Sequence, residues 1–200
     1  MKTNILLISI GVVLTLLIYA AIEWLHINRS IPYEYLTTDL NAIHKSPKYL
    51  GFLSQLGMPF WFGTAAILMF TGLISYKNNK QSFLIKFIMN ASLLTTFLGL
   101  DDLYLIHDEL SHRGIKEQYF YVFYAVWVSS TLFVFRKAIF KTRFLLLAIA
   151  LVSFGISIFI DQLPYEATLY EDLAKFFGIV IWSLYWIHTS YKTTDGSLHL

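Results

Sequence analysis

Two short stretches of this 200-residue chain carry side chains able to move protons or hold a metal ion. Glu23-Trp24-Leu25-His26 sets a carboxylate and an imidazole three residues apart, on one face of a helix. The second stretch contains Asp101, Asp102, Tyr104, His107 and Asp108. In a continuous helix Asp101, Tyr104 and Asp108 follow i, i+3, i+7 spacing, with His107 beside Tyr104 on the same broad face. Asp102 and Glu109 fall on a different face. Carboxylates mixed with imidazoles suit a divalent cation, because a catalytic zinc takes nitrogen and oxygen ligands and keeps one position for water. Zinc, iron or manganese would be held by Glu23, His26, Asp101, His107 and Asp108 if the two stretches meet. Such a metal acidifies its bound water for attack on an ester, amide or phosphate. The catalytic candidates are Asp101, Asp102, Tyr104, His107 and Asp108, all of them able to work as acids or bases. A pair of Glu-x-x-His motifs on different helices marks a di-metal carboxylate site; this chain has a single one, at Glu23 and His26.

A third group supplies support. Glu171 and Asp172 precede Lys175 by four and three residues, so either acid can pair with it along a helix. Alternatively Lys175 turns inward and neutralises Asp101 or Asp102. Glu171 and Asp172 also open their helix, where the dipole favours negative charge. Asp161 closes the preceding apolar run.

The elements that must position these groups are membrane-length helices. Hydrophobic residues make up 56% of the chain, aromatics 18% and charged residues 14%, with a mean hydropathy of +0.58. Soluble domains carry about 25% charged residues, so lipid is expected to be part of this chain's solvent. A spanning helix needs about 20 mostly apolar residues. Six segments meet this, at approximately 3–26, 51–76, 83–107, 118–135, 144–161 and 172–191. The third reaches spanning length only by including Asp101 and Asp102. The expected fold is therefore all-α: one polytopic membrane domain over residues 1–200, a six-helix bundle. Pro59 is expected to kink the second helix, and Gly51, Gly57, Gly63, Gly72, Gly99, Gly155 and Gly178 read as close-packing positions. Ser92, Ser129, Ser130, Ser153, Ser157 and Ser183 are candidates for hydrogen bonds between helices.

Orientation follows from the loops. Lys77, Lys80 and Lys86 join helices two and three; Arg136, Lys137, Lys141 and Arg143 join four and five; Lys2 and Lys192 flank the ends. Basic residues concentrate in cytoplasmic loops, which places these connections and both termini inside. Of the 13 acids, all but Asp195 then fall in the outer half: Glu23, Glu34, Asp39, Asp101, Asp102, Asp108, Glu109, Glu117, Asp161, Glu166, Glu171 and Asp172. An acid facing lipid costs a few kcal/mol or more; the face with Asp101, Tyr104, His107 and Asp108 is therefore expected to meet neighbouring helices. Trp24, Trp61, Tyr104, Tyr119, Tyr121, Tyr165 and Tyr170 read as an outer aromatic belt. The connection from about Ile27 to Tyr49 is the one long loop, and its Asn28-Arg29-Ser30 fits the common glycosylation tripeptide.

Some chemistries are excluded. With no cysteine there are no disulfides, thiolate ligands or cysteine nucleophiles. No G-x-S-x-G elbow, phosphate-cradling glycine loop or dinucleotide fingerprint is present. A net charge of +2 gives no electrostatic footprint for nucleic acid. His44, His112 and His199 read as solvated, and His188 as interfacial.

The expected function is a membrane-embedded enzyme, a hydrolase or oxidase, whose extracytoplasmic carboxylate–histidine site acts on a lipid or another apolar substrate. The alternatives are a non-catalytic partner or scaffold held by a polar network, and a small cation or proton transporter. Membrane lipids are the expected partners, and a homo-oligomer or a membrane-protein partner is compatible with the sequence.

Overall fold

The computed structural model describes residues 13, 17, 19–33, 51–78, 82–106, 109, 110, 113, 114, 116, 118–163 and 168–198. Lys2, Glu34, Asp39, His44, Lys80, His107, Asp108, His112, Glu117, Tyr165, Glu166 and His199 lie outside the described residues. The chain forms two compact units, Met1–Leu50 and Gly51–Leu200.

In the first unit residues 19–29 are helical (α1), and the helix stops at Ser30, which takes φ 53°. Asn28, the candidate glycosylation acceptor, lies within this helix and donates its side-chain amide to the Trp24 carbonyl at 3.1 Å.

The second unit is built from α2 (Phe52–Lys77), α3 (Ser82–Tyr104), α4 (Gln118–Val134), α5 (Phe144–Asp161) and α6 (Thr168–Thr194), with a one-turn helix at Arg136–Ile139. Every described element is helical. α2 follows Gly51 in the left-handed region (φ 66°), where glycine has no Cβ to clash, and continues through Pro59 to its cap at Asn78. α3 ends at Tyr104 because Leu105 takes φ 48°. His107 and Asp108, beyond this break, lie outside the described residues.

α6 packs along both α5 and α2, and α2 packs along α3; α4 meets α3 over a shorter stretch. The contact between α6, α3 and the chain after α4 is aromatic: Trp182 meets Trp186 edge-on, and Phe87 lies 5.2 Å from Trp186 and 5.3 Å from Phe135. Polar side chains tie the helices at fixed depths. Ser92 donates to the Ala65 carbonyl at 2.9 Å, Ser183 to that of Phe60 at 3.3 Å, and Trp182 Nε1 to Thr95 Oγ1 at 3.1 Å. Asn90 joins α3 to α4 by donating to Thr131 Oγ1 and accepting from Trp127 Nε1. Ser153 instead bonds within its own helix, and Ser129 and Ser130 are exposed.

Among the described residues three helices, α2, α3 and α5, are long and apolar enough to cross a membrane. Their outer faces are apolar too: Phe70, Leu93, Leu145 and Phe159 are exposed. α6 is longer than any of these, but Trp, Tyr, Ser, Thr and its terminal charges make it less apolar. That composition suits a central helix, whose Ile179, Trp182, Tyr185 and Trp186 are buried by neighbouring helices.

The glycines divide into two kinds. A Cβ at Gly99 would stand 3.0 Å from the Trp61 Cβ, so the glycine is needed for α3 to approach α2. Gly63 and Gly155 have nothing within 4 Å and are not close-packing positions.

Candidate functional site

Asp101 and Asp102 are both buried, although they are consecutive residues on α3. They can be so because one points toward α2 and α6 and the other toward α4. The Asp102 carboxylate is engaged at both oxygens. Lys175 of α6 donates to Oδ1, and Trp61 Nε1 of α2 donates to Oδ2 at 3.1 Å. Lys175 thus takes the inward alternative and bridges α6 to α3. Its side chain is 36% exposed, while that of Asp102 is 6% exposed. Gly57 makes room for this arrangement, since a Cβ there would meet Ile179 Cδ1 at 3.2 Å and Asp102 Oδ2 at 3.9 Å. Trp61 is therefore not a belt residue. It is 3% exposed, stacked on Phe154 and edge-on to Trp182, because its indole N–H is the donor that the buried carboxylate requires.

Asp101 meets the Tyr124 hydroxyl of α4, a half-buried phenol within hydrogen-bonding reach of the carboxylate. Two further groups lie in the same layer. Tyr121 donates to Asp161 Oδ2 at 3.4 Å and so joins the start of α4 to the end of α5; Gln162 donates to the same oxygen at 2.9 Å. Glu171 and Asp172 are partly buried near the start of α6. Tyr104 is exposed, on the rim rather than in the interior, since the helix ends with it.

Glu23 and His26 find partners inside the first unit. Tyr33 donates its hydroxyl to the Glu23 carboxylate, at 3.0 Å from Oε1 and 3.1 Å from Oε2. That hydrogen bond, the loss of hydration and the carboxylate charge together hold the Tyr33 phenol above its ordinary pKa. The His26 ring stacks on Tyr33 at 3.9 Å, and its Nδ1 lies 2.8 Å from the Ile31 carbonyl. A carbonyl only accepts, so Nδ1 donates, and Nε2 is the acceptor or ligand position of the neutral ring. Glu23 and His26 are thus the two ends of a small cluster closed by Tyr33.

Among the described residues no three His, Asp or Glu side chains come together as a metal site. At Asp102 both carboxylate oxygens are already engaged, by the Lys175 ammonium and the Trp61 indole N–H. His107 and Asp108, the remaining proposed ligands and catalytic candidates, lie outside the described residues.

Sequence reasoning missed Trp61, Tyr124 and Tyr33. A signal for Trp61 was present: Gly57, Thr64, Ala65, Thr71, Gly72 and Ser75 form a small-and-polar stripe along α2 on the same buried side as Trp61 and Leu68.

These observations define a protein whose described elements are all helical, with membrane-length apolar helices and a buried carboxylate–lysine cluster at one end of its larger unit. Residues 7–189 match the family described as a domain of unknown function, DUF8692, and the chain belongs to that family. No curated protein and no solved structure matches the chain.

Proposed function

We propose that the chain is a six-span integral membrane protein with both termini in the cytoplasm, and that its Asp101–Asp102 layer is the site of an enzyme. The enzyme acts from the extracytoplasmic side on a lipid or another apolar substrate. α4 and α6 are counted as spans together with α2, α3, α5 and the first helix. α6 has 27 residues, about 40 Å at 1.5 Å per residue, against a hydrocarbon core of about 30 Å. The 17 residues of α4 reach about 25 Å.

The observation that carries the reading is the pair of adjacent buried carboxylates at the end of an apolar helix. Interhelical polar contacts in membranes contribute well under about 1 kcal/mol on average. Stability alone is a weak reason to bury two acids, and intramembrane acids commonly mark functional sites. The two carboxylates divide the labour. Asp102, fixed by Lys175 and Trp61, orients the layer; Asp101, against the Tyr124 hydroxyl, is the group placed for proton transfer. The acyl chain of such a substrate would lie against the exposed apolar surface of these helices.

A second reading rests on the same ion pair. Both oxygens of Asp102 are engaged within the protein, as a purely structural polar network requires.

Wild type and Asp101→Asn, reconstituted in lipid nanodiscs, separate the two. Extracted lipids are followed by mass spectrometry and the folded fraction by thermal unfolding. The enzyme reading expects a lipid product that wild type forms and a fully folded Asp101→Asn does not. An unchanged lipid profile in wild type, with Asp101→Asn and Asp102→Asn equally destabilised, would favour the structural network.

A further inference from the structure

At the other end of α6 lies a cavity of about 260 Å³. Lys175 and Lys192 are 17 residues apart, so the two ends are separated by about 26 Å along the helix. The cavity takes cationic side chains from two places. Lys141 and Arg143 come from the connection into α5, and Lys192 from the last turns of α6. Arg143 and Lys192, and with opposite sign Asp195, are all close enough to the lining His188 imidazole to act on it electrostatically. Among the described residues no carboxylate lines the space. Asp195, the acid on this segment, accepts from the Ser197 N–H at 2.8 Å.

The walls are held in place. Thr142 Oγ1 lies 2.6 Å from the Ile139 carbonyl and 2.9 Å from the buried Tyr185 hydroxyl, which ties the basic connection to α6. Beyond α6 the chain reverses at Gly196 (φ 80°), and Leu198 is buried, its N–H bonded to the Lys192 carbonyl at 3.0 Å. The Asp195 N–H takes the Tyr191 carbonyl in the same way. These bonds satisfy carbonyls at the negative end of α6 that would otherwise oppose an anion. On the facing side α5 begins after Arg143 with no side-chain cap and no acid in its first turn, which leaves the positive end of its dipole uncompensated.

We propose that this cavity binds a phosphate-bearing anion, either the headgroup of an anionic phospholipid or a soluble phosphate. A guanidinium and two ammonium groups on exposed side chains around one open recess complement the charge and oxygens of a phosphate. The position at the end of membrane-length helices is the depth at which phospholipid headgroups lie.

Delipidated full-length protein in neutral detergent tests this by thermal unfolding. Titrations use inorganic phosphate, phosphatidylglycerol in mixed micelles, and phosphatidylcholine with ionic strength matched by chloride. Arg143→Gln/Lys192→Gln removes two cavity charges; Lys77→Gln/Lys137→Gln removes two exposed charges at the same end but outside the cavity. Expected is saturable stabilisation of wild type and of the Lys77/Lys137 variant, weakened about tenfold or more in the Arg143/Lys192 variant. A response to phosphatidylglycerol alone assigns a lipid headgroup; a response to inorganic phosphate as well assigns a soluble anion. No response beyond the phosphatidylcholine and chloride controls, or an equal response in the two double variants, would overturn the proposal.

Discussion

At the residue scale the asymmetry of the Asp102–Lys175 pair decides how it tolerates change. Asp102 is buried on all sides, whereas Lys175 is 36% exposed and has a long stem that can lift its ammonium into water. Removing the lysine strands a buried carboxylate; removing the acid leaves a lysine with an escape route. Lys175→Met should therefore cost about 2–3 kcal/mol, below the range for a fully buried pair because the lysine is partly solvated. Asp102→Asn should cost less, since the amide oxygen still accepts from Trp61 Nε1. The Asp102→Asn/Lys175→Met double variant should recover most of the Lys175→Met loss. Chemical unfolding in detergent measures all four proteins. A Lys175→Met protein as stable as wild type would show that the ion pair does not hold this layer together.

At the element scale, length and hydropathy made the helices legible, because they are properties of the chain taken one residue after another. The adjacency of the helices was not legible. Apolar residues line the exposed side of α2 and α3 as densely as the packed side, so periodicity does not mark the interior. Trp61 looked like an interfacial residue because its role depends on the helix opposite, which places Asp102 against it. The end of α3 was hidden too: neither Gly nor Pro marks Leu105, whose φ of 48° costs about 1–3 kcal/mol and must be enforced by the fold. That break puts Tyr104 on the rim and ends α3 before His107 and Asp108, which lie outside the described residues. The glycines show the same limit, since sequence treated as alike seven positions that the structure separates. Gly99→Val should destabilise by about 1–3 kcal/mol through its clash with Trp61. Gly63→Ala, with open space around it, should be neutral or stabilise by up to about 1 kcal/mol through helix propensity. Thermal unfolding of the two variants checks this, and equal destabilisation by both would mean that Gly63 has a packing partner outside its own unit's described contacts.

On the scale of the whole molecule, most charge is sorted along the helix axes, with Lys175, Arg113 and Lys116 the exceptions at the acidic end and Asp195 at the basic end. Asp101, Asp102, Asp161, Glu171 and Asp172 occupy one end of the larger unit, and Lys77, Lys86, Arg136, Lys137, Lys141, Arg143 and Lys192 belong to the other. About 26 Å of helix separates Lys175 from Lys192, close to the thickness of a hydrocarbon core. Sorting of this kind is what the positive-inside rule produces when helices alternate in direction across a bilayer. It predicts a labelling pattern that the absence of native cysteine makes easy to read. Single cysteines at the exposed positions Lys116 and Tyr170 report on the acidic end, and cysteines at Asn78 and Lys137 on the basic end. In intact cells a membrane-impermeant thiol reagent should modify Lys116→Cys and Tyr170→Cys, and should reach Asn78→Cys and Lys137→Cys only after permeabilisation. The reverse pattern would put the carboxylate layer in the cytoplasm and require a substrate from that side. Modification of all four in intact cells would mean that these helices do not span, and the lipid-facing reading of their apolar surfaces would fail with it.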